Sequence, residues 1–185
     1  MHIHDTPPPG IIRQLRPSEI NHFRDHLLRL DRESRHDRFN GFTDESFLEG
    51  YATRSFHDGT TVIGYVEGDR VLGAAELHER ADSEQPTGEI AFSVEREIQH
   101  RGIGTKLFER LLLHARGLGY TSLRVTTHPQ NQAMRRLAAK YATSLRFEAG
   151  ETVGVIELGP ELSEQMARQL NAVSRAEARA AVVAG

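Results

Sequence analysis

The apolar positions of this chain keep helical spacing at first and change to a period of two from Thr60; later segments mix the two periods. The segment "GIIRQLRPSE", from Gly10, reads as a short strand that stops at Pro17, a residue with no amide to donate. Ser18 and Glu19 then start a helix, on which Phe23, Leu27 and Leu30 recur at helical spacing. The charged stretch "DRESRHDRFNGF" has no clear period. A second helix is expected near Thr43, with that hydroxyl as its cap and Phe47, Leu48 and Tyr51 on its apolar face.

From Thr60, "TTVIGYVEGDRVLGAAELHER" alternates with period two and turns at Gly68-Asp69, which predicts a hairpin. A polar connection, "RADSEQPTG", leads to a third strand, "EIAFSV". The strongest helical stripe follows: Ile103, Leu107, Leu111 and Ala115, broadened by Phe108 and Leu112 and ended by "GLGY". "TSLRVTT" is the next strand, "NQAMRRLAAKYAT" an amphipathic helix, and "LRF" and "TVGVIEL" are short terminal strands. Strand, helix and strand over residues 89–127 form a parallel crossover unit. The expected fold class is therefore α/β, with a mixed central sheet that is antiparallel first and parallel at the crossover.

A chain of 185 residues, 38% hydrophobic and 26% charged, supports one sizeable core. We expect a flexible arm over residues 1–9, where three prolines favour extended geometry, one domain over 10–160, and a helical tail over 161–185. The tail carries a thin stripe of Leu162, Met166, Leu170 and Val173, suited to a frayed surface helix or to docking on the domain or on a second subunit as a homodimer. A net charge of -3 gives no global attraction to nucleic acid or to an acidic membrane. The absence of cysteine excludes disulfides, thiolate catalysis and cysteine-bound zinc. No basic, apolar leader opens the chain and no apolar run approaches the roughly 20 residues of a membrane span, so a cytoplasmic location is expected. His2, His4 and Asp5 sit in a poor setting for a metal, and none is expected.

The stretch "IQHRGIGTKLF" carries the chemistry. Gly102 and Gly104 lie between the third strand and the best helix, where unpaired amides and the positive helix end favour an anion. Leu107 stands where a dinucleotide fingerprint needs a third glycine, and the Gly-Lys-Ser/Thr of a P-loop is absent. Gln99-His100-Arg101-Gly102-Ile103-Gly104 resembles the Gln/Arg-x-x-Gly-x-Gly/Ala signature of the GNAT superfamily of acetyl-CoA-dependent N-acyltransferases. The similarity spans residues 60–158, and "NQAMRRLAAKY" resembles that family's second cofactor-side helix.

The resemblance implies a GNAT-type mixed sheet, splayed at the cofactor strand, and acetyl-CoA as co-substrate. It also implies pantetheine contacts at Phe92, Ser93 and Val94, and a pyrophosphate cradle at Gln99, His100, Arg101, Gly102, Ile103, Gly104 and Thr105. Asn131 is suited to the pantetheine region or to capping its helix, and Arg135 to a CoA phosphate.

Acetyl transfer to an amine needs a neutral nucleophile, a polarised thioester and a route for a proton to the leaving sulfur. The family's habits point to Glu89 as base, since it alternates with Ala91 and Ser93 on one strand face, or else to a solvated strand-end carboxylate. "E-x-A-x-x-V" here, and Arg38-Phe39 earlier, also resemble the bacterial protein-lysine acetyltransferase branch. Glu76 is the second candidate base, and His78 a further option on its face. The position usually held by a tyrosine acid is Ala138, and Tyr141, three residues on, suits the core. With no cysteine and no serine in a nucleophile elbow, direct attack in a ternary complex on a primary amine, small or protein lysine, is the expected reaction. The rivals are a non-catalytic acetyl-CoA-binding domain for regulation or assembly and a nucleotide-dependent oxidoreductase.

Overall fold

A computed structural model describes residues 10–141, 144–160, 162 and 164. Strand β1 (Ile11–Gln14) leads through a 3-10 turn at Pro17–Glu19 into helices α1 (Ile20–Arg29), α2 (Arg32–Phe39) and α3 (Glu45–Arg54). The hairpin β2 (Thr60–Glu67) and β3 (Arg70–Glu79) is followed by β4 (Thr87–Val94) and a 3-10 turn at Arg96–Ile98. Next come α4 (Ile103–Gly117), β5 (Ser122–Thr127), α5 (Gln132–Tyr141), β6 (Ser144–Glu148) and β7 (Glu151–Glu157). The seven strands form one sheet in the order β1-β2-β3-β4-β5-β7-β6, in which β4 and β5 are parallel and every other pair is antiparallel. The mixed α/β class and the crossover at β4-α4-β5 are therefore as the periodicity implies.

Helices cover both faces, each over its own apolar cluster. Against one face pack Leu107, Phe108, Leu111 and Leu112 of α4, Met134 and Ala138 of α5, and the inward residues Ile90, Leu123, Val125 and Ile156. Against the other lie Phe23 and Leu27 of α1, Leu48 and Ala52 of α3, and Val62, Val71 and Ala74. Leu162, the first apolar residue of the tail stripe, packs on the α4 side. The rest of that stripe and the N-terminal arm lie outside the described residues.

Two local expectations are corrected. The stretch without a period is helix α2, started by Asp31, whose carboxylate accepts from the Ser34 amide at 2.8 Å. Helix α3 is capped by Asp44, which accepts from the Phe47 amide at 2.7 Å, rather than by Thr43. The cap moves because Asp44 stands immediately before the first helical residue, where a short acceptor can reach the third amide.

Helix α2 buries no residue fully, and polar links hold it instead. Arg38 Nη2 meets Glu76 Oε1 of β3 at 2.6 Å, and Asn40 Nδ2 donates to Glu151 Oε1 of β7 at 2.7 Å. Ser34 Oγ accepts from Gln99 Nε2 at 3.2 Å, and Asp31 Oδ2 pairs with Arg96 Nε at 2.6 Å. The helix thus lies across the end of the sheet where β4 and β5 part.

Glu76 is fully buried. Burial alone would push its carboxyl up, but Arg38 and then His78 outweigh that and hold it at about 2. Its contribution to stability is complete above the ordinary carboxylate value of 4.5 and is lost as pH falls toward about 2. Glu76→Gln leaves the Arg38 charge buried without a counter-ion, which costs about 3–5 kcal/mol. Chemical denaturation at neutral pH should register that loss, and the difference between the two proteins should shrink on acidification below pH 4.5.

Candidate functional site

The site is made where pairing stops. Strands β4 and β5 are in register from Thr87↔Ser122 to Ile90↔Val125 and no further. Beyond that point β4 stays paired with β3 as far as Val94↔Gly73, and β5 with β7 as far as Thr127↔Thr152. The two strands are therefore held from outside while a wedge opens between residues 91–94 and 126–127.

One wall of the wedge meets an anion cradle. His100 and Gly102 both take left-handed backbone, with φ of 60° and 78°, and turn the chain into α4. Among the described residues, no acceptor is found for the amides of residues 100–105, and Lys106 is the first to bond back, to the Gly102 carbonyl at 3.1 Å. A Cβ built on Gly102 meets nothing within 4 Å, and one on Gly104 only Val94 Cγ2 at 4.0 Å, so the space over these amides is open. Ile103 turns its side chain into the core, 7% exposed, which anchors the loop from beneath. Six free amides at the positive end of a 15-residue helix fit a pyrophosphate. On the wedge itself the Thr127 hydroxyl is buried without a partner among the described residues, a polar atom suited to an amide-bearing ligand.

Gln99 departs from the expected cradle role. Its side chain turns inward and donates to the Val94 carbonyl at 2.9 Å as well as to Ser34, so it braces the loop and leaves the contact to the amides. Asn131 Oδ1 accepts from the Met134 amide at 2.9 Å and caps α5. Exposed Arg135 donates to the Pro129 carbonyl at 3.1 Å, which ties it to the loop ahead of α5. Phe92 stacks on Phe108 at 5.1 Å between centroids, and Phe108 on Tyr141 at 5.1 Å. The Tyr141 hydroxyl donates to Glu109 at 2.6 Å, so this tyrosine packs in the core, and Ala138 is buried beside it.

The opposite sheet face carries the titratable groups. Register places Glu89 across from His78 on β3 and Arg124 on β5, Ala91 across from Glu76, and Ser93 across from Ala74. All of these share the face covered by α1, α2 and α3. Glu76 is saturated there: besides Arg38, it accepts from the Tyr51 hydroxyl at 2.7 Å and lies 3.2 Å from His78 Nε2 and 3.4 Å from Ser55 Oγ. Burial and then the Glu76 charge push the Tyr51 hydroxyl well above its ordinary value. Held by these four neighbours, Glu76 ties α2 and α3 to the sheet. Glu89 is half-buried and, among the described residues, makes no hydrogen bond or ion pair; its neighbour Arg124 is turned to Glu148 at 3.7 Å.

Sequence reasoning missed three features of this face. The Arg38–Tyr51–Glu76 cluster was detectable only as a charge interrupting the apolar run "LGAAELH", a charge that burial makes costly without a partner. Asp37 of α2 is pushed up by burial and by Glu33, although His36 and His128 oppose this. The third is a chain of hydrogen bonds from Ser93 through His26 to Glu95, which join residues 67 and 69 positions apart.

Known proteins agree with this geometry. The model of the acetyltransferase (GNAT) family matches residues 25–142, well over half of the chain. No curated protein sequence matches it significantly. Among solved structures, it is similar to the GNAT domain of S. lividans PAT, with a TM-score of 0.68 and 16% identity over 80% of this chain and 90% of that one. The yncA protein of Salmonella typhimurium, solved with its cofactor acetyl-CoA, gives 0.62 and 19% over 81% and 94%. The paiA N-acetyltransferase of Thermoplasma acidophilum, in complex with coenzyme A, gives 0.59 and 16% over 80% and 98%. Among the described residues, no helix is long and apolar enough to cross a membrane. Splayed strands, a glycine-relieved amide cradle at a helix start and the family match converge: this chain belongs to the GNAT family of acetyl-CoA-dependent acetyltransferases.

Proposed function

We propose that the protein transfers the acetyl group of acetyl-CoA to a primary amine, a small metabolite or a protein lysine, by direct attack within a ternary complex. The observation that carries this reading is an open amide cradle beside a wedge whose other face presents Glu89, a carboxylate with no hydrogen bond or ion pair among the described residues. The amides of residues 100–105 bind the pyrophosphate, and Gly102 and Gly104 leave it room. Phe92, Ser93 and Val94 offer the unpaired edge of β4 to the pantetheine arm, and the Thr127 hydroxyl adds a donor and acceptor across the wedge. Bound acetyl-CoA supplies a thioester carbonyl carbon open to a neutral amine. Glu89 takes the proton that an ammonium ion must lose to become that amine. Ala91 next to it has a side chain small enough to leave space for the nitrogen. A cytoplasmic setting, where acetyl-CoA and free amines coexist, suits this activity.

A non-catalytic acetyl-CoA-binding domain is favoured by one observation, the buried Ala138 where a tyrosine hydroxyl is usual. Glu89→Gln separates the readings. For an acceptor identified by screening amines and lysine peptides, kcat should fall by about 10²–10⁴ while calorimetric CoA affinity is kept. Unchanged turnover removes Glu89 as base. Gly104→Val fills the open space above the amides and should weaken CoA binding at least about tenfold with little change in melting temperature. An equal affinity in that variant moves the pyrophosphate elsewhere.

A further inference from the structure

We propose that Ser93, backed by His26 and Glu95, carries the proton that the attacking amine releases, and so replaces the tyrosine hydroxyl missing at position 138. The inference rests on the acetyl-transfer reading above. Ser93 Oγ lies 2.8 Å from His26 Nε2, and His26 Nδ1 lies 3.0 Å from Glu95 Oε1. His26 is fully buried, and Ser93 and Glu95 are each 5% exposed. Ser93 shares its face with Glu89 and stands beyond the last β4–β5 pair, with only Ala91 between them. Two residues of strand span about 6.6 Å, so Glu89 and Ser93 flank the space over Ala91 from opposite sides.

The direction of each hydrogen bond follows from charge. Arg29 donates to Glu95 at 2.8 and 3.1 Å, and Arg70 approaches it at 3.7 Å. Burial raises the Glu95 carboxyl, but His26 and Arg29 outweigh this and hold it below the ordinary range, so Glu95 accepts only. His26 Nδ1 therefore carries the proton, Nε2 holds a lone pair, and the Ser93 hydroxyl donates to it. Burial first, and Arg29 with it, keep the imidazole neutral against the pull of Glu95 and Glu76.

Glu89 removes one proton from the ammonium; the second must leave once nitrogen has attacked. The C–N bond forms as the C–S bond breaks, and sulfur departs with the bonding pair. The nitrogen proton passes to Ser93 Oγ as the serine's own proton passes to His26 Nε2, beside the Glu95 carboxylate. The reverse movement delivers that proton to the sulfur, Glu89 gives the first proton up to solvent, and the protein ends as it began. The serine oxygen makes no bond to carbon. It lies on the extended backbone of β4, one residue before that strand ends, and not in a strand-to-helix elbow of the kind that presents a nucleophile.

The decisive variant is His26→Gln, whose amide can keep both hydrogen bonds but cannot take up a proton. It should retain melting temperature and calorimetric CoA affinity and lose about 100-fold in kcat, as should Ser93→Ala. A second readout needs no turnover: nitrogen NMR of the full-length protein should find His26 as the neutral Nδ1–H tautomer from about pH 6 to 8. An imidazolium or an Nε2–H tautomer in that range overturns the relay. So does wild-type kcat in His26→Gln, or a mass spectrum showing acetyl on Ser93. A wild-type protein that acetylates no amine overturns the acetyl-transfer reading and the relay with it.

Discussion

The candidate site of this chain depends on two adjacent parallel strands ceasing to pair after Ile90 and Val125. A sheet does not open of itself, because unpaired amides and carbonyls inside a protein are costly. Here both banks are held from behind: β4 by β3 to its last residue, and β5 by β7 to Thr127. Two side chains and one backbone bond then fix the free bank of β4 in place. Gln99 takes the Val94 carbonyl, the Glu95 amide bonds to the Leu72 carbonyl at 2.9 Å, and His26 takes the Ser93 hydroxyl. What stays unsatisfied is a short strand edge and a helix start, and these are the parts a ligand with amides and phosphates can complete.

The sheet also separates two kinds of chemistry. Its α4 face is built from apolar packing and backbone amides, which suits binding without acid–base work. Its α1–α3 face buries Glu76, Glu95, His26 and Arg38 among hydrophobic residues. Each buried charge there has an opposite charge beside it, as the low dielectric demands. Glu89 is the exception on that face. It remains only half-buried and, among the described residues, makes no hydrogen bond or ion pair.

The elements legible in the sequence were those with a strong period or a defined terminus. The hairpin of β2 and β3, the stripe on α4 and the two glycines were all found where the sequence places them, although both hairpin strands are buried on both faces. Helix α2 did not announce itself. It has no apolar stripe, and its stability comes from Arg38, Asn40 and Ser34, whose partners lie 38, 111 and 65 residues away. The same distance hid the Ser93–His26–Glu95 chain, since no spacing rule connects α1 to the end of β4. Glu76 was visible as a buried charge, but its fate was set by Arg38, a residue in the stretch that carried no pattern.

The stacked rings of Phe92, Phe108 and Tyr141 run from the wedge to the far end of α5. Tyr141 ends the stack with its hydroxyl on the Glu109 carboxylate. A ligand settling against Phe92 presses on the first ring of three in contact. The stack thereby ties the open edge of β4 to the last residue of α5 through three rings in series.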